Sequence, residues 1–500
     1  MKNLSIASVV QSGAKNLKNE DQDDYVTKSM GAFGLWQFIF ILIGSSTRSI
    51  CTWNTMSVVF IAPETDFICK RFSDNTTREI KNNTCYDTCT EYAYTNDIFE
   101  KTIISEFGLI CKNTWLQSFL QTILMLGVLA GVSVFGWFSD RFGRSKAMIL
   151  SGVTCSIFMF ASPFCPDFWS IAAVRFFGGI GTGGYLALTA VYMSELVGSR
   201  FIDIVVCSSL LPFDGAGLPI QAIFAYFTST WRTFMIVCSS ISILMVCITF
   251  FLPETPRWLV AKGKESEAIE LMTRAAKFNK LDVTNISENV TKVTQQLKLK
   301  QKKDIDLTYF DLFRTKKLTI WTMASIAIWF VTGFSYFGLL QYISQFGTNL
   351  YVVVTILGVA QIVAAPLSVL VVKYCSRRLA SICIYSTIGL LSFTLIFIPK
   401  GSITAVILGS LGVTAASISF SVVYIIVIEL YPTPMRNMGL SVSSVGSKVA
   451  AMVAPFVVNI RTKWIASSIF AAAGFSAVIF CFILPETKGK KLKDTVDDVE

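Results

Sequence analysis

Twelve uninterrupted apolar runs, each close to the roughly 20 residues a helix needs to cross a hydrocarbon layer about 30 Å thick, constrain this chain more than any other feature. They fall near residues 35–57, 115–138, 147–165, 168–192, 203–227 and 234–252, and again near 319–341, 349–372, 379–398, 402–428, 438–459 and 464–484. Barrel strands would alternate in polarity over roughly ten residues, which these runs do not do, and lipid otherwise admits only helices because backbone polar groups must be satisfied within the segment. The expected fold class is an all-α membrane protein of twelve transmembrane helices in two pseudo-symmetric six-helix bundles. With 53% apolar and 15% charged residues, the chain has the balance of a protein solvated mostly by lipid.

The first 30 residues mix acids and bases (Lys15, Lys18, Glu20, Asp21, Asp23, Asp24), so no cleavable leader is visible and the first span is expected to direct its own insertion. Segment 253–317 carries 14 Lys or Arg against nine acids, and short loops hold Arg141, Arg144, Lys146, Lys373, Arg377 and Arg378. Basic loops stay cytoplasmic, which places both termini there; the multi-pass chain is expected in the plasma membrane. The net charge of +10 follows these loops and asks for no nucleic acid. The expected organisation is a cytoplasmic segment 1–34, a bundle 35–252 with an extracellular loop 58–114, a cytoplasmic linker 253–318, a second bundle 319–484 and a cytoplasmic tail 485–500. Inside the linker, Ala268, Leu271, Met272, Ala275 and Phe278 recur at helical spacing and predict an amphipathic surface helix over 264–280.

The first long loop holds four of the 13 cysteines, Cys69, Cys85, Cys89 and Cys111, in a polar stretch with nine acids and six bases. In an oxidising compartment they form two disulfides, with three pairings open. Asn75 and Asn82 are glycosylation acceptors there, whereas Asn285 and Asn289, in the linker, are expected to stay bare. The same loop offers a surface for contact between copies of the chain.

The two halves repeat. Glu195 and Glu429, each closing a span, lie 234 residues apart; Pro253-Glu-Thr and Pro485-Glu-Thr lie 232 apart. Gly136-Trp-Phe-Ser-Asp140-Arg141-Phe-Gly143-Arg144 after the second span corresponds to Lys373-Tyr-Cys-Ser-Arg377-Arg378 after the eighth. Repeats of this size are the usual build of secondary carriers. Gly136 and Gly143 permit close helix approach, Asp140 can cap a helix or take an arginine, and Arg141 and Arg144 can reach carboxylates. Glu195 and Glu429 are expected to exchange ion pairs with Arg200 and Arg436, the alternative being static anchoring of helix ends.

Carrying Gly136 to Arg144, Pro253-Glu-Thr-Pro-Arg-Trp-Leu259, Glu429-Leu-Tyr-Pro-Thr-Pro-Met-Arg436, Leu484-Pro-Glu-Thr-Lys-Gly489 and the cysteine-rich loop, the chain resembles the major facilitator superfamily over nearly its whole length. The likeness is to its organic cation, anion and carnitine transporter branch. It implies a carrier of small organic ions working by alternating access, with Asp140, Arg141 and Arg144 in a latch on the cytoplasmic side. Lys373 replaces the acid of the second signature loop, which weakens the latch there.

Four ionisable residues lie well inside the spans: Arg48, Arg175, Asp214 and Lys448. Each needs a reason, since a charge at the bilayer centre costs roughly 2.5 to 3.5 kcal/mol on an insertion scale. Asp214 and Lys448 sit at mid-span, 234 residues apart, the offset of the repeat. The expectation is that Lys448 receives a substrate carboxylate while Asp214 takes a cationic group or a coupling proton, the alternative being that Asp214 neutralises Arg48. The resemblance implies the sign: Lys448 falls where cation carriers of the branch have an acid and anion and carnitine carriers an arginine, and Gln361 and Ser421 fall where cation carriers have glutamate. Ala365 stands where its dicarboxylate-exchanging carriers have a lysine, which argues against that exchange.

Trp329, Tyr336 and Phe337 on the seventh span supply rings for an organic body, and the branch places aromatics beside substrate at Tyr336 and Phe337. Gly178, Gly179, Gly181, Gly183 and Gly184 permit close packing or backbone contact with substrate. The chain has no histidine, no metal-ligand spacing and no nucleophile elbow, so the reading is a carrier and not an enzyme, with no cofactor. Organic anions or carnitine-like zwitterions are the expected substrates. An organic cation carrier, a non-transporting nutrient sensor and a sugar carrier are the alternatives, Lys448 arguing against the last. Uniport, exchange and symport with a coupling proton or sodium ion all fit.

Overall fold

The computed structural model describes residues 25–72, 81–95, 98–198, 201–301, 308–346, 349–399, 401–432, 435–460 and 462–488. Within them every apolar run is helical. In chain order the helices are α1 (Tyr25–Met30), α2 (Leu35–Ser46), α3 (Ser49–Met56), α4 (Val58–Ile61), α5 (Ile103–Phe107), α6 (Trp115–Phe142), α7 (Arg144–Ala161), α8 (Phe168–Leu196), α9 (Ile202–Tyr226) and α10 (Trp231–Thr249). The second part contains α11 (Pro256–Ala261), α12 (Glu265–Phe278), α13 (Ile286–Gln301), α14 (Lys316–Ser344), α15 (Leu350–Tyr374), α16 (Arg377–Thr394), α17 (Ile403–Leu430), α18 (Arg436–Val458) and α19 (Lys463–Ile483).

Ten helical stretches among the described residues are long and apolar enough to span a membrane. The other two expected spans are helical too. The fifth is α9, which carries Pro212 and Pro219. The first is divided into α2, α3 and α4; around Arg48 the backbone tightens to bonds three residues apart, Arg48 N donating to Ser45 O at 3.1 Å and Cys51 N to Arg48 O at 2.9 Å.

The loop between α4 and α6 is a cap built on an antiparallel hairpin, β1 (Asp66–Phe72) and β2 (Cys89–Thr95). Cys69–Cys89 staples the hairpin, and Cys85–Cys111 ties it to the start of α6, which selects one of the three pairings. Asn82 lies exposed in this cap; Asn75 falls outside the described residues. Glu106 on α5 docks the cap onto α10, accepting from Trp231 Nε1 at 2.7 Å and from Arg232 Nη2 at 2.7 Å. Burial works against its charge, but the hydrogen bonds from Arg232 and Trp231 outweigh it and hold the carboxyl below the usual range. Because the pKa is depressed in the fold, the docking energy is complete at neutral pH and is lost as pH falls below about 4.5. Glu106→Gln should therefore remove a pH-dependent gain in protease resistance of the cap worth roughly 0.5–1 kcal/mol, read as cleavage rate between pH 7 and pH 4.

Beyond the far ends of the spans, α12 forms as the spacing predicted. It buries Ala268, Met272, Ala275 and Ala276 in a cluster with Val26 and Met30 of α1, while Phe278, expected in the apolar stripe, stands 51% exposed. Between α6 and α8 the glycines touch backbone to backbone. A Cβ on Gly127, Gly131, Gly179 or Gly183 would come within 2.0–2.3 Å of a carbonyl oxygen of the facing helix. Gly181 and Gly184 likewise abut Cys155 and Phe135, so this run serves packing.

Hydrogen bonds join the halves on the face that bears the cap. Ser118 donates to Pro455 O at 3.1 Å, Thr122 to Met452 O at 2.8 Å, and Asn459 Nδ2 to Ser118 Oγ at 2.9 Å. Tyr351 of α15 packs against Phe60 and Tyr226 and donates to Ile98 O at 3.3 Å. These contacts seal the cap face.

Candidate functional site

The four intramembrane charges stand in three different environments. Arg48, between α2 and α3, donates from Nε to both oxygens of Asp214 at 2.9 and 2.8 Å. Its Nη1 donates to Leu186 O at 3.1 Å and Thr189 Oγ1 at 2.9 Å, and Thr52 adds a bond of 3.4 Å to the same carboxylate. Asp214, at the middle of α9, is thereby neutralised within its own half. The expected opposition of Asp214 and Lys448 across a cavity is corrected to an Arg48–Asp214 pair on one side. The reason is reach: an arginine on the adjacent helix satisfies a buried carboxylate without crossing the interface.

Arg175 is 2% exposed inside the first half; Nη1 donates to Ser57 Oγ at 3.2 Å, and Nε and Nη2 have no partner. Lys448, half-buried at the middle of α18, makes no hydrogen bond or ion pair among the described residues. The charge that acts on it is Arg48, in the other half. One turn nearer the cap, Ala451 packs on Met125 and Val128 of α6, and Met452 takes the Thr122 bond. Since residues three and four apart share a helix face, Lys448 lies on the side of α18 that meets the first half, just beneath the seal.

Facing the pair is an aromatic wall on α14. Tyr336 donates to Gln361 Oε1 at 3.1 Å and packs edge-on against Phe337 and Phe420, with centroids 5.0 and 5.3 Å away. Trp329 meets Phe420 at 5.9 Å, its indole N–H buried without a partner. Tyr336 also feels the charges of Asp214 and Arg48. Gln361 comes close because α9 and α15 touch at Gly215 and Gly358, where a Cβ at 215 would lie 2.7 Å from Gly358 O and 3.0 Å from Gln361 Cβ. Ser421 sits beside Phe420, half-buried. The structure thus gathers Arg48, Asp214, Tyr336, Phe337, Gln361 and Lys448 at one level between the halves.

At the opposite end from the cap, each half carries the same charge cluster. Arg144 Nη2 meets Glu195 Oε1 at 3.0 Å, Thr255 donates to Glu195 Oε2 at 2.5 Å, and Glu254 accepts the backbone N–H of Arg144, Ser145 and Thr255. In the second half, Arg377 meets Glu429 at 3.2 Å, Thr487 donates to Glu429 at 2.5 Å, and Glu486 accepts from Arg377, Arg378, Thr487 and Lys488. The copies differ at the signature acid: Arg144 Nη1 bonds Asp140 Oδ1, whereas Arg377 Nη1 bonds the carbonyl of Val372 because Lys373 supplies no acid. Partial burial opposes the charge on both Glu254 and Glu486. It prevails at Glu254, whose pKa is raised with Glu195 adding repulsion; at Glu486 the backbone donors prevail and the pKa is lowered.

These pairings correct the expected partners. Glu195 and Glu429 bind Arg144 and Arg377 of their own halves; Arg200 falls outside the described residues, and Arg436 has Nε and Nη2 buried without a partner. Arg141 lies over Trp137 and Phe142, 5.6 and 5.7 Å from the ring centroids, and takes no carboxylate among the described residues. Gly136 faces open space, so close approach belongs to Gly143 alone, at φ 120° with Glu254 2.2 Å from where a Cβ would stand.

The model of the family described as "Sugar (and other) transporter" matches residues 40–497. The chain is 31% identical over 454 residues to organic anion transporter 3 of Sus scrofa, covering 88% of this chain and 81% of that protein. It is 27% identical over 523 residues to an organic cation transporter protein of Drosophila melanogaster, covering 96% and 94%. The chain belongs to the major facilitator superfamily, in its organic ion transporter branch. The fold agrees: the inward-open xylose transporter XylE of E. coli superposes with TM-score 0.66 at 17% identity, over 91% of this chain and 98% of that one.

This major facilitator protein is a membrane transporter of small organic substrates, not an enzyme. Sequence reasoning missed Phe420 and the Thr52, Thr189 and Leu186 groups that hold Arg48. Phe420 is one of 40 phenylalanines, and nothing in its neighbourhood separates it from packing residues. The repeat offset was a usable signal for the duplicated thresholds, since Thr255 and Thr487 lie 232 residues apart like the glutamates beside them.

Proposed function

We propose that this transporter carries small organic anions or carnitine-like zwitterions across the plasma membrane, with both chain ends in the cytoplasm and the two halves rocking about Lys448. One observation carries the reading: Lys448 is a mid-membrane cation on the interface side of its helix with no counter-charge of its own. A substrate carboxylate supplies one, and the Tyr336, Phe337 and Phe420 rings cover its organic body. A carrier of simple cations needs an acid at this level; Asp214, the acid of the four intramembrane ionisable residues, is taken up by Arg48. On this topology the seal lies outside and the charge clusters lie inside, each closed within its own half.

The test is uptake of a labelled aryl carboxylate, carnitine and tetraethylammonium into cells expressing wild type or Lys448→Glu, corrected for surface expression. Wild type is expected to favour the first two, and Lys448→Glu to lower their uptake at least tenfold, equivalent to about 1.4 kcal/mol. Preference of the wild type for tetraethylammonium, with carboxylate uptake untouched in the variant, overturns the reading.

A further inference from the structure

A hollow lies on the cap face, separated from Lys448 by the seal. It consists of two contiguous cavities of about 470 and 930 Å³ that share Glu64, Asp66, Asn83, Gln117, Gln345 and Asn459. The smaller reaches down between the halves to Gln121 of α6 and Gln341 of α14; the larger spreads under the hairpin, where Tyr86, Tyr92 and Tyr94 line it.

Two independent features mark it as a binding site. The first is the lining charge: Glu64, Asp66 and Asp87 against Lys112, which itself lies 3.8 Å from Asp87. An acidic hollow edged with phenol rings attracts cations through both charge and ring quadrupole. The second is a pair of buried amides left incomplete. Gln121 is 0% exposed and gives its Nε2 to Thr55 O at 3.0 Å, but its Oε1 has no partner; Gln341 is 7% exposed and its Nε2 has none. Buried polar groups are ordinarily satisfied, so an acceptor from one half and a donor from the other, both lining one cavity, ask for a polar molecule between them.

We propose that this vestibule is a second binding site for substrate, which takes an ammonium-bearing organic molecule by its cationic end before the seal opens. For the choice of a zwitterion over a simple cation the inference rests on the reading of Lys448: the vestibule recognises the ammonium end and Lys448 the carboxylate end of one molecule. The vestibule itself stands on its own lining.

Equilibrium binding to the full-length protein in lipid nanodiscs separates the two. With tritiated carnitine, wild type should bind two molecules per chain and Lys448→Ala one; tetramethylammonium should displace the molecule that remains, and butyrate should not. Gln341→Leu placed on Lys448→Ala removes the amide donor that would meet carnitine's hydroxyl oxygen beside its ammonium end, and should weaken that remaining binding tenfold or more. Residual binding displaced by butyrate rather than tetramethylammonium overturns the vestibule, as does loss of all binding in Lys448→Ala or no binding of either probe. Should Gln341→Leu fail to fold, competition on wild type and Lys448→Ala still decides. A wild type with one site, kept in Lys448→Ala and displaced by tetramethylammonium, supports the vestibule while sinking the central reading.

Discussion

Asp214→Asn should destabilise the purified transporter by about 3–5 kcal/mol, because it leaves the Arg48 guanidinium charged in the membrane interior with no counter-ion. The remaining partners, Leu186 O and Thr189 Oγ1, are dipoles that can hold the group in place but cannot cancel its charge. Removing both charges together behaves differently, since an apolar pair of similar volume carries no desolvation cost. Arg48→Met with Asp214→Leu is therefore expected to recover most of the loss, and the thermal unfolding of the two single variants and the double in one lipid composition measures the coupling. Uptake should fall in Asp214→Asn for a second reason: Arg48, no longer neutralised, becomes a second uncompensated base beside Lys448. Equal stability of the single and double variants would show that water reaches the pair and that it does not organise the site.

The second large effect belongs to the α6–α8 seam. A Cβ at Gly183 would stand 2.0 Å from Val128 O and 2.7 Å from Val128 C, and backbone cannot rotate out of the way. Gly183→Ala should cost about 1–3 kcal/mol as overpacking, and Gly183→Val, which adds a branched side chain, should abolish folded protein at the cell surface. Gly131→Val should do the same from the facing helix, where Ile180 O lies 2.0 Å away. Gly136, in the same helix as Gly131 but facing open space, is the control: Gly136→Ala should leave expression unchanged or slightly raised, as expected for glycine replaced within a helix. Surface biotinylation of the four variants reads the outcome, and a well-expressed Gly183→Val would mean that the helices are not packed this closely.

Much of the architecture was open to reading because lipid removes alternatives. A run of about 20 apolar residues in a water-free layer has one economical backbone solution, so the helices lie within a few residues of where hydropathy places them. The offset of 234 likewise carried over into three dimensions, as the matching Glu195–Arg144 and Glu429–Arg377 clusters show. Periodicity was less reliable at the edge of the linker helix: Phe278 fits the stripe in α12 yet faces out, because the helix ends there and no neighbour covers it.

Partners were a different matter. Sequence gave four intramembrane charges and could not say which would pair, since Arg48 and Asp214 are 166 residues apart and either could have met another group. It also could not separate Gly136 from Gly183, or choose among three disulfide pairings. What the sequence determined by itself is whatever depends on local periodicity and on the solvent of each segment: span positions, the repeat, the side of the membrane favoured by charge, and the depth of each ionisable residue. What only the tertiary structure decided is which groups neutralise one another, because hydrogen-bond and ion-pair energies fall away within a few ångströms and chain separation says nothing about distance at that scale. It is that decision which joins Arg48 to Asp214 and leaves Lys448, like Arg175, without a counter-charge among the described residues.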